Sequence, residues 1–178
     1  MKNSAEKDLW EYERAVYAEG FGRICGVDEA GRGPLAGPVC AAAVTLPEGL
    51  VIAGLDDSKK LTEKRREKLY DEIVEKALDC SIAFASVQGI EELNMLGATY
   101  LAMNRAISGL KSAPELALID GNRCDGIESP CRWVVGGDGL CAETPAASIL
   151  AKVTRDRYML KMAEEYPGYG FEKDKGYG

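Results

Sequence analysis

Two hydrophobic periods run along the chain. Short apolar runs at residues 23–27, 38–46, 80–87, 116–119 and 132–135 have strand length and are bounded by glycine, proline or acidic residues. Between them, apolar positions recur at helical spacing. Leu9, Trp10, Tyr12, Ala15 and Val16 predict a helix over 4–18. Leu69, Tyr70, Ile73, Val74, Ala77 and Leu78 predict one from a Thr62 cap to residue 78. Leu93, Leu96, Tyr100, Leu101, Met103 and Ile107 predict a third over 90–110. Ala147, Ile149, Leu150, Val153, Leu160 and Ala163 predict the last over 144–166, with Pro145 in its first turn. Lys64, Arg65, Arg66 and Lys68 read as the solvated face of the second helix. The first two strands, joined through a glycine-rich turn, predict an antiparallel hairpin. The whole order predicts an α/β fold, a mixed sheet flanked by helices, in a single domain over 1–178.

Length and charge narrow the picture. At 178 residues, 46% apolar and 29% charged, the chain can bury a real core. No run of about 18 apolar residues predicts a membrane span. The charged first 19 residues have no signal-peptide centre, so the expected location is cytoplasmic. Six cysteines include no C-x-x-C pair, and Cys25, Cys40 and Cys80 sit in apolar runs as expected core thiols. The chain has no histidine, which excludes Ser-His and Cys-His catalysis and imidazole-bound metals. A net charge of −7 argues against a broadly basic nucleic-acid coat and leaves room for a local basic groove.

The acids carry the chemistry. Predicted strands end at Asp28, Asp120 and Asp138, and Glu29 adds a fourth carboxylate. One aspartate after a strand is ordinarily a turn residue or a cap. Three such strand ends on one side of a sheet would bring four carboxylates together, and these cannot all ionise without compensation. Oxygen-only ligands suit Mg²⁺ or Mn²⁺, and two such ions about 3.5–4 Å apart would serve phosphodiester cleavage. Gly31-Arg32-Gly33 beside the acids is either a tight turn or bare backbone that a nucleic acid can approach. It matches neither a P-loop nor a dinucleotide fingerprint. Ser148, Lys152 and Arg155 share one face of the last helix. That face is either solvated, with Arg155 pairing an acid, or a track for phosphates. Ser58-Lys59-Lys60 is open in the same way.

The segments GVDEAGRGPLAGPV at 26–39, DSKKL at 57–61, LNMLGATYLAMNRAI at 93–107, LIDGNR at 118–123, AASILAKVTRDR at 146–157 and YGFEKDKGYG at 169–178 resemble, as a set, ribonuclease HII, the bacterial type 2 ribonuclease H. The resemblance implies a ribonuclease H-like fold with a five-stranded mixed sheet. It implies a metal-dependent endonuclease that cuts the RNA strand of RNA–DNA hybrids. It also implies cutting 5′ of single ribonucleotides in duplex DNA, leaving 3′-hydroxyl and 5′-phosphate ends. The family's acids fall on Asp28, Glu29, Asp120 and Asp138, with Mn²⁺ or Mg²⁺ and a two-metal mechanism. Its ribonucleotide-sensing turn falls on Gly31, Arg32 and Gly33, its sugar-stacking tyrosine on Tyr177, and its phosphate contacts on Lys59, Ser148 and Lys152. A backbone sensor of the 2′-hydroxyl suits discrimination of RNA from DNA. Gly136 stands where the family has lysine, and Glu172 and Asp174 stand near its tail histidine. The chain stops short of the relatives' last helix, which reads as a truncated C-terminus. The short segment before the first strand favours ribonuclease HII over HIII. The expected state is a monomer, with no membrane association. The competing readings are a hybrid-binding protein without turnover and a Mg²⁺-dependent phosphatase or nucleotide hydrolase.

Overall fold

The computed structural model describes residues 8–31, 37–55, 60–86, 92–134, 141–170 and 173, with the side chains of 92–94 excepted. The expected elements form, in the order α1 (Glu11–Ala18), β1 (Ile24–Ala30), β2 (Val39–Thr45), α2 (Glu63–Lys76), β3 (Asp79–Ala85), α3 (Glu92–Ser108), β4 (Leu116–Asp120), β5 (Cys131–Val134) and α4 (Glu143–Glu165). They build one five-stranded mixed sheet in the order β3-β2-β1-β4-β5. β1 is the central strand. It pairs antiparallel with β2, as the hairpin reading requires, and parallel with β4, which pairs parallel with β5.

Helices cover both faces. On one, α2 and α4 enclose Cys40, Ala42, Val44, Ile73, Ile149 and Leu150, and α1 adds Val16 against Ile24 and Leu118. On the other, α3 packs Met103, Ala106 and Ile107 over Cys25, Val27, Ala41, Ala43 and Ile119. β2 therefore contributes to both cores, and its alanines let helices approach from either side. Gly26 in β1 serves the same end. A Cβ there would lie 2.2 Å from the carbonyl carbon of Glu143, so α4 starts directly against the central strand.

Several positions read as apolar core or solvated surface behave otherwise. Val74, Leu78, Leu101 and Leu160 are exposed. Arg66, read as solvated, is 7% exposed; its Nη2 donates to the Leu61 carbonyl at 3.0 Å, and Nη1 lies 3.9 Å from Asp156. Cys25 and Cys40 are buried as expected, whereas Cys80 is only half-buried.

The start of α4 is held by a buried acid from α1. Glu13 Oε1 accepts from the backbone N–H of Ala142 (2.8 Å) and of Glu143 (3.1 Å), and from the Cys141 thiol (3.1 Å). Glu143 in turn accepts from the Leu46 N–H at 2.8 Å. A carboxylate at a helix N-terminus meets unpaired N–H groups and the positive end of the dipole. Burial nevertheless raises both carboxyls above their usual range, and the charge of Glu13 adds to the rise at Glu143. A carboxyl with a raised folded-state pKa stabilises fully below its unfolded value, and that stability is lost as pH climbs through the folded value. Glu13→Gln keeps an acceptor for the two N–H groups and cannot ionise. It should therefore gain on the wild type between pH 5 and pH 8 in urea unfolding. A constant offset across that range would contradict the assignment. Glu13→Ala, which strands the N–H groups, should cost about 3 kcal/mol.

Candidate active site

Strand pairing brings the acids together. Val27 of β1 is the register partner of Ile119 of β4, so the next residues, Asp28 and Asp120, emerge from adjacent parallel strands at the same end. Asp120 is level with Val134, the last residue of β5. Residues 135–140 lie outside the described residues, and Asp138 with them. β1 runs on to Ala30, beyond the expected end at Val27, so Asp28 and Glu29 belong to the strand itself. Alternation starts their side chains on opposite faces, yet at the end of the strand the two carboxyls still lie close enough to interact. Asp28 shares the α4 face with Ile24 and Gly26. Glu29 shares the α3 face and lines a small open cleft with Thr99, Tyr100, Met103, Asp120, Asn122 and Arg123.

These carboxyls repel one another. Asp28 is buried, and its carboxyl is pushed well above the usual range by burial first, then by the charges of Glu29 and Asp120. The Glu29 N–H donates to Asp28 Oδ1 at 2.8 Å and fixes that oxygen. An oxygen-only set with excess negative charge fits a hard divalent cation, whose binding would relieve the repulsion. Among the described residues no three acid or thiol side chains are gathered tightly enough to enclose a cation by themselves. Asp28, Glu29 and Asp120 are thus an open set.

One rim of the cleft carries an exposed hydrogen-bonded cluster. The Arg123 guanidinium forks onto Asp125 through Nε and Nη2, both at 3.0 Å, and the Tyr100 hydroxyl donates to Asp125 at 2.9 Å. The Arg123 partner holds the Asp125 carboxyl below its usual range, with help from Tyr100. The motif LIDGNR contained both Asn122 and Arg123, but only the folded loop shows them beside the acids.

Beyond Glu29 the chain turns at Gly31, with φ of 93°, and re-enters at Gly37, with φ of 87°. Arg32 and Gly33 lie outside the described residues, as do Lys59 and Tyr177. Gly31 and Gly37 both lie against Arg155. This side chain is fully buried, and its Nε donates to the Pro38 carbonyl at 3.1 Å. Arg155 is therefore not a solvated group of its helix face; it is an internal brace. Ser148 is half-buried one turn before Lys152 on α4. Lys152 is 11% exposed and pairs with Asp156 at 2.8 Å, and Asp156 also faces Arg66. Burial draws the Lys152 ammonium below its usual value against the pull of Asp156. Neither Ser148 nor Lys152 is among the residues lining the acid cleft.

Comparison with known proteins agrees with this geometry. The profile of the family described as Ribonuclease HII matches residues 25–178. Ribonuclease HII of Acidovorax sp. (strain JS42) is 59% identical over 157 residues, covering 88% of this chain and 75% of that protein. Ribonuclease HII of Burkholderia mallei (strain SAVP1) is 57% identical over 155 residues, covering 87% and 72%. Among solved structures, ribonuclease H2 from Pyrococcus horikoshii OT3 superposes with a TM-score of 0.69 at 28% identity, over 88% of this chain and 81% of that one. The RNase HII of the Archaeoglobus fulgidus PCNA:RNase HII complex gives 0.68 at 26% identity, over 87% and 80%. The chain belongs to the ribonuclease HII family of type 2 ribonuclease H endonucleases.

Proposed function

We propose that this endoribonuclease cuts the RNA strand of RNA–DNA hybrids and the 5′ side of single ribonucleotides in duplex DNA, with Asp28, Glu29, Asp120 and Asp138 as its catalytic acids. The observation that carries the reading is geometric: the buried Asp28 stands on its strand beside Asp120 on the adjacent parallel strand, with Glu29 next in the chain. Asp28, Glu29 and Asp120, joined by Asp138, would hold one or two Mg²⁺ or Mn²⁺ ions. Such a cation would supply the positive charge that offsets the repulsion among these acids and the Lewis acidity that phosphodiester hydrolysis uses. The solved structure of Bst-RNase HIII in complex with Mn²⁺ shares the fold at a TM-score of 0.67 and 20% identity.

The protein's own groups do the placing. The Glu29 N–H aims one Asp28 oxygen. Gly31, Arg32 and Gly33 present backbone to the ribose, Tyr177 packs on that sugar, and Lys59, Ser148 and Lys152 take phosphates. Phosphate contacts set the register, and the 2′-hydroxyl contact gives the specificity. The enzyme acts as a cytoplasmic monomer. A direct test offers a labelled RNA–DNA hybrid, the same duplex as DNA and a small phosphate monoester, each with Mg²⁺ or Mn²⁺. Cleavage of the hybrid alone is expected. Phosphate release from the monoester would favour a small-substrate hydrolase, and binding of hybrid without product would favour a binding protein.

A further inference from the structure

All six cysteines are free thiols, and none takes part in the acid site. Cys25, Cys40 and Cys141 are fully buried. Cys124 and Cys131 are each half-buried and are neighbours in space. The Cys131 thiol, at the start of edge strand β5, donates to the Cys124 carbonyl at 3.4 Å, which sets its sulfur beside Cys124. A sulfur this close to the backbone of the other cysteine needs little chain movement to reach disulfide geometry.

The segment between them is anchored to α3. Asn104 Nδ2 donates to the Gly126 carbonyl, and the Glu128 N–H donates to Asn104 Oδ1, both at 3.0 Å. This loop follows directly on Asn122 and Arg123, which line the cleft with Glu29 and Asp120. A crosslink would therefore lock a loop that is already in place beside the acids.

We propose that Cys124 and Cys131 form a redox modification site, in which a low-molecular-weight disulfide such as oxidised glutathione converts them to an intramolecular disulfide that staples the β4–β5 loop. The Cys124 thiolate attacks one sulfur of glutathione disulfide, forming a mixed disulfide and releasing one glutathione thiolate. The Cys131 sulfur then attacks the Cys124 sulfur and expels the second glutathione. The two protein thiols lose two electrons and two protons, and the oxidant leaves as two glutathione thiols. The order of attack follows from the surroundings of Cys131. Burial and the Cys124 neighbour push its thiol up to about 12, which suits a resolving rather than an attacking thiol.

The test is to incubate the whole chain in native buffer with oxidised glutathione, block residual thiols and map the peptides. The expected product has lost two hydrogens in a peptide pair joining Cys124 to Cys131, and dithiothreitol restores it. Its thermal midpoint should exceed that of the reduced protein by about 5 °C, as closure of a short loop removes freedom from the unfolded chain. Cys131→Ser should stop at glutathione bound to Cys124. Absence of the joined peptide from the wild type, its formation only in urea, or an unchanged or lower midpoint on oxidation would each overturn the proposal. The wild-type result decides even if the serine variant does not fold.

Discussion

Asp120→Asn is expected to lower kcat by on the order of 10³-fold or more while leaving the protein at least as stable as the wild type. Asparagine has the same shape and keeps one oxygen, but it lacks the charge. That charge is one of the causes that hold the buried Asp28 carboxyl above its ordinary range. Removing it relieves a like-charge repulsion, which should be neutral or contribute up to about 1 kcal/mol in urea unfolding. A residue serving only the fold would show the opposite pairing, with lost stability and near-normal turnover of the molecules that remain folded. Loss of activity together with a clear loss of stability would contradict the assignment, as would wild-type kcat. The Asp28 carboxyl should also titrate closer to the normal carboxylate range in the variant, a shift that carbon NMR can read without substrate.

The second large effect is on the turn that follows the acids. Gly31→Ala is expected to destabilise the protein by about 3 kcal/mol or more. Two costs add. A φ of 93° is unfavourable for any side chain, by roughly 1–2 kcal/mol. The new Cβ would also lie 2.0 Å from Nε and 2.5 Å from Cδ of Arg155. Arg155 has no room to yield. It is fully buried, bonded to the Pro38 carbonyl, and bounded by Gly37, whose own Cβ position lies 3.1 Å from its Nη2. Gly49→Ala is the matched control, since Gly49 has a φ of 79° and open space around it. It should show the backbone cost alone, roughly 1–2 kcal/mol. Equal losses for the two variants in urea unfolding would mean that Arg155 does not brace the turn.

The strands and helices were readable because their apolar periods are local properties. The meeting of Asp28 and Asp120 was readable for a related reason. Val27-Asp28, Ile119-Asp120 and the run toward Asp138 each place an acid after an apolar run, and parallel pairing of β1 with β4 aligns the first two. What the sequence concealed are charges that lie in phase with an apolar stripe. Glu13 is three residues from both Trp10 and Val16, Arg66 three from Leu69, and Arg155 four from both Ala151 and Met159, and all of these apolar neighbours are buried. That phase is a usable signal that a charge points inward. The partners that make burial tolerable are far along the chain: Ala142 and Glu143 for Glu13, Asp156 for Arg66, and Pro38 for Arg155. No local pattern names them. The exposed Val74, Leu78, Leu101 and Leu160 show the converse, since an apolar residue at the margin of a stripe is buried only if a neighbouring element covers it.

The proposed acid site gives a reason for α4 to be held so firmly. Its first turn sits on Gly26, two residues before Asp28, and its later turns carry Lys152 and Arg155. The Glu13 clamp fixes one end of this helix and the Arg155 brace fixes a later turn against the loop. The central strand and its acids are thereby held against a helix fixed at both places, as a preorganised catalytic group requires.

The most direct test of the whole account uses duplex DNA containing one ribonucleotide, end-labelled, with Mn²⁺ or Mg²⁺ and with chelator as control. The account predicts a single cut on the 5′ side of that ribonucleotide, leaving 3′-hydroxyl and 5′-phosphate ends, abolished by chelator and by Asp120→Asn. Cleavage that persists in chelator, or at undiminished rate in Asp120→Asn, would contradict it.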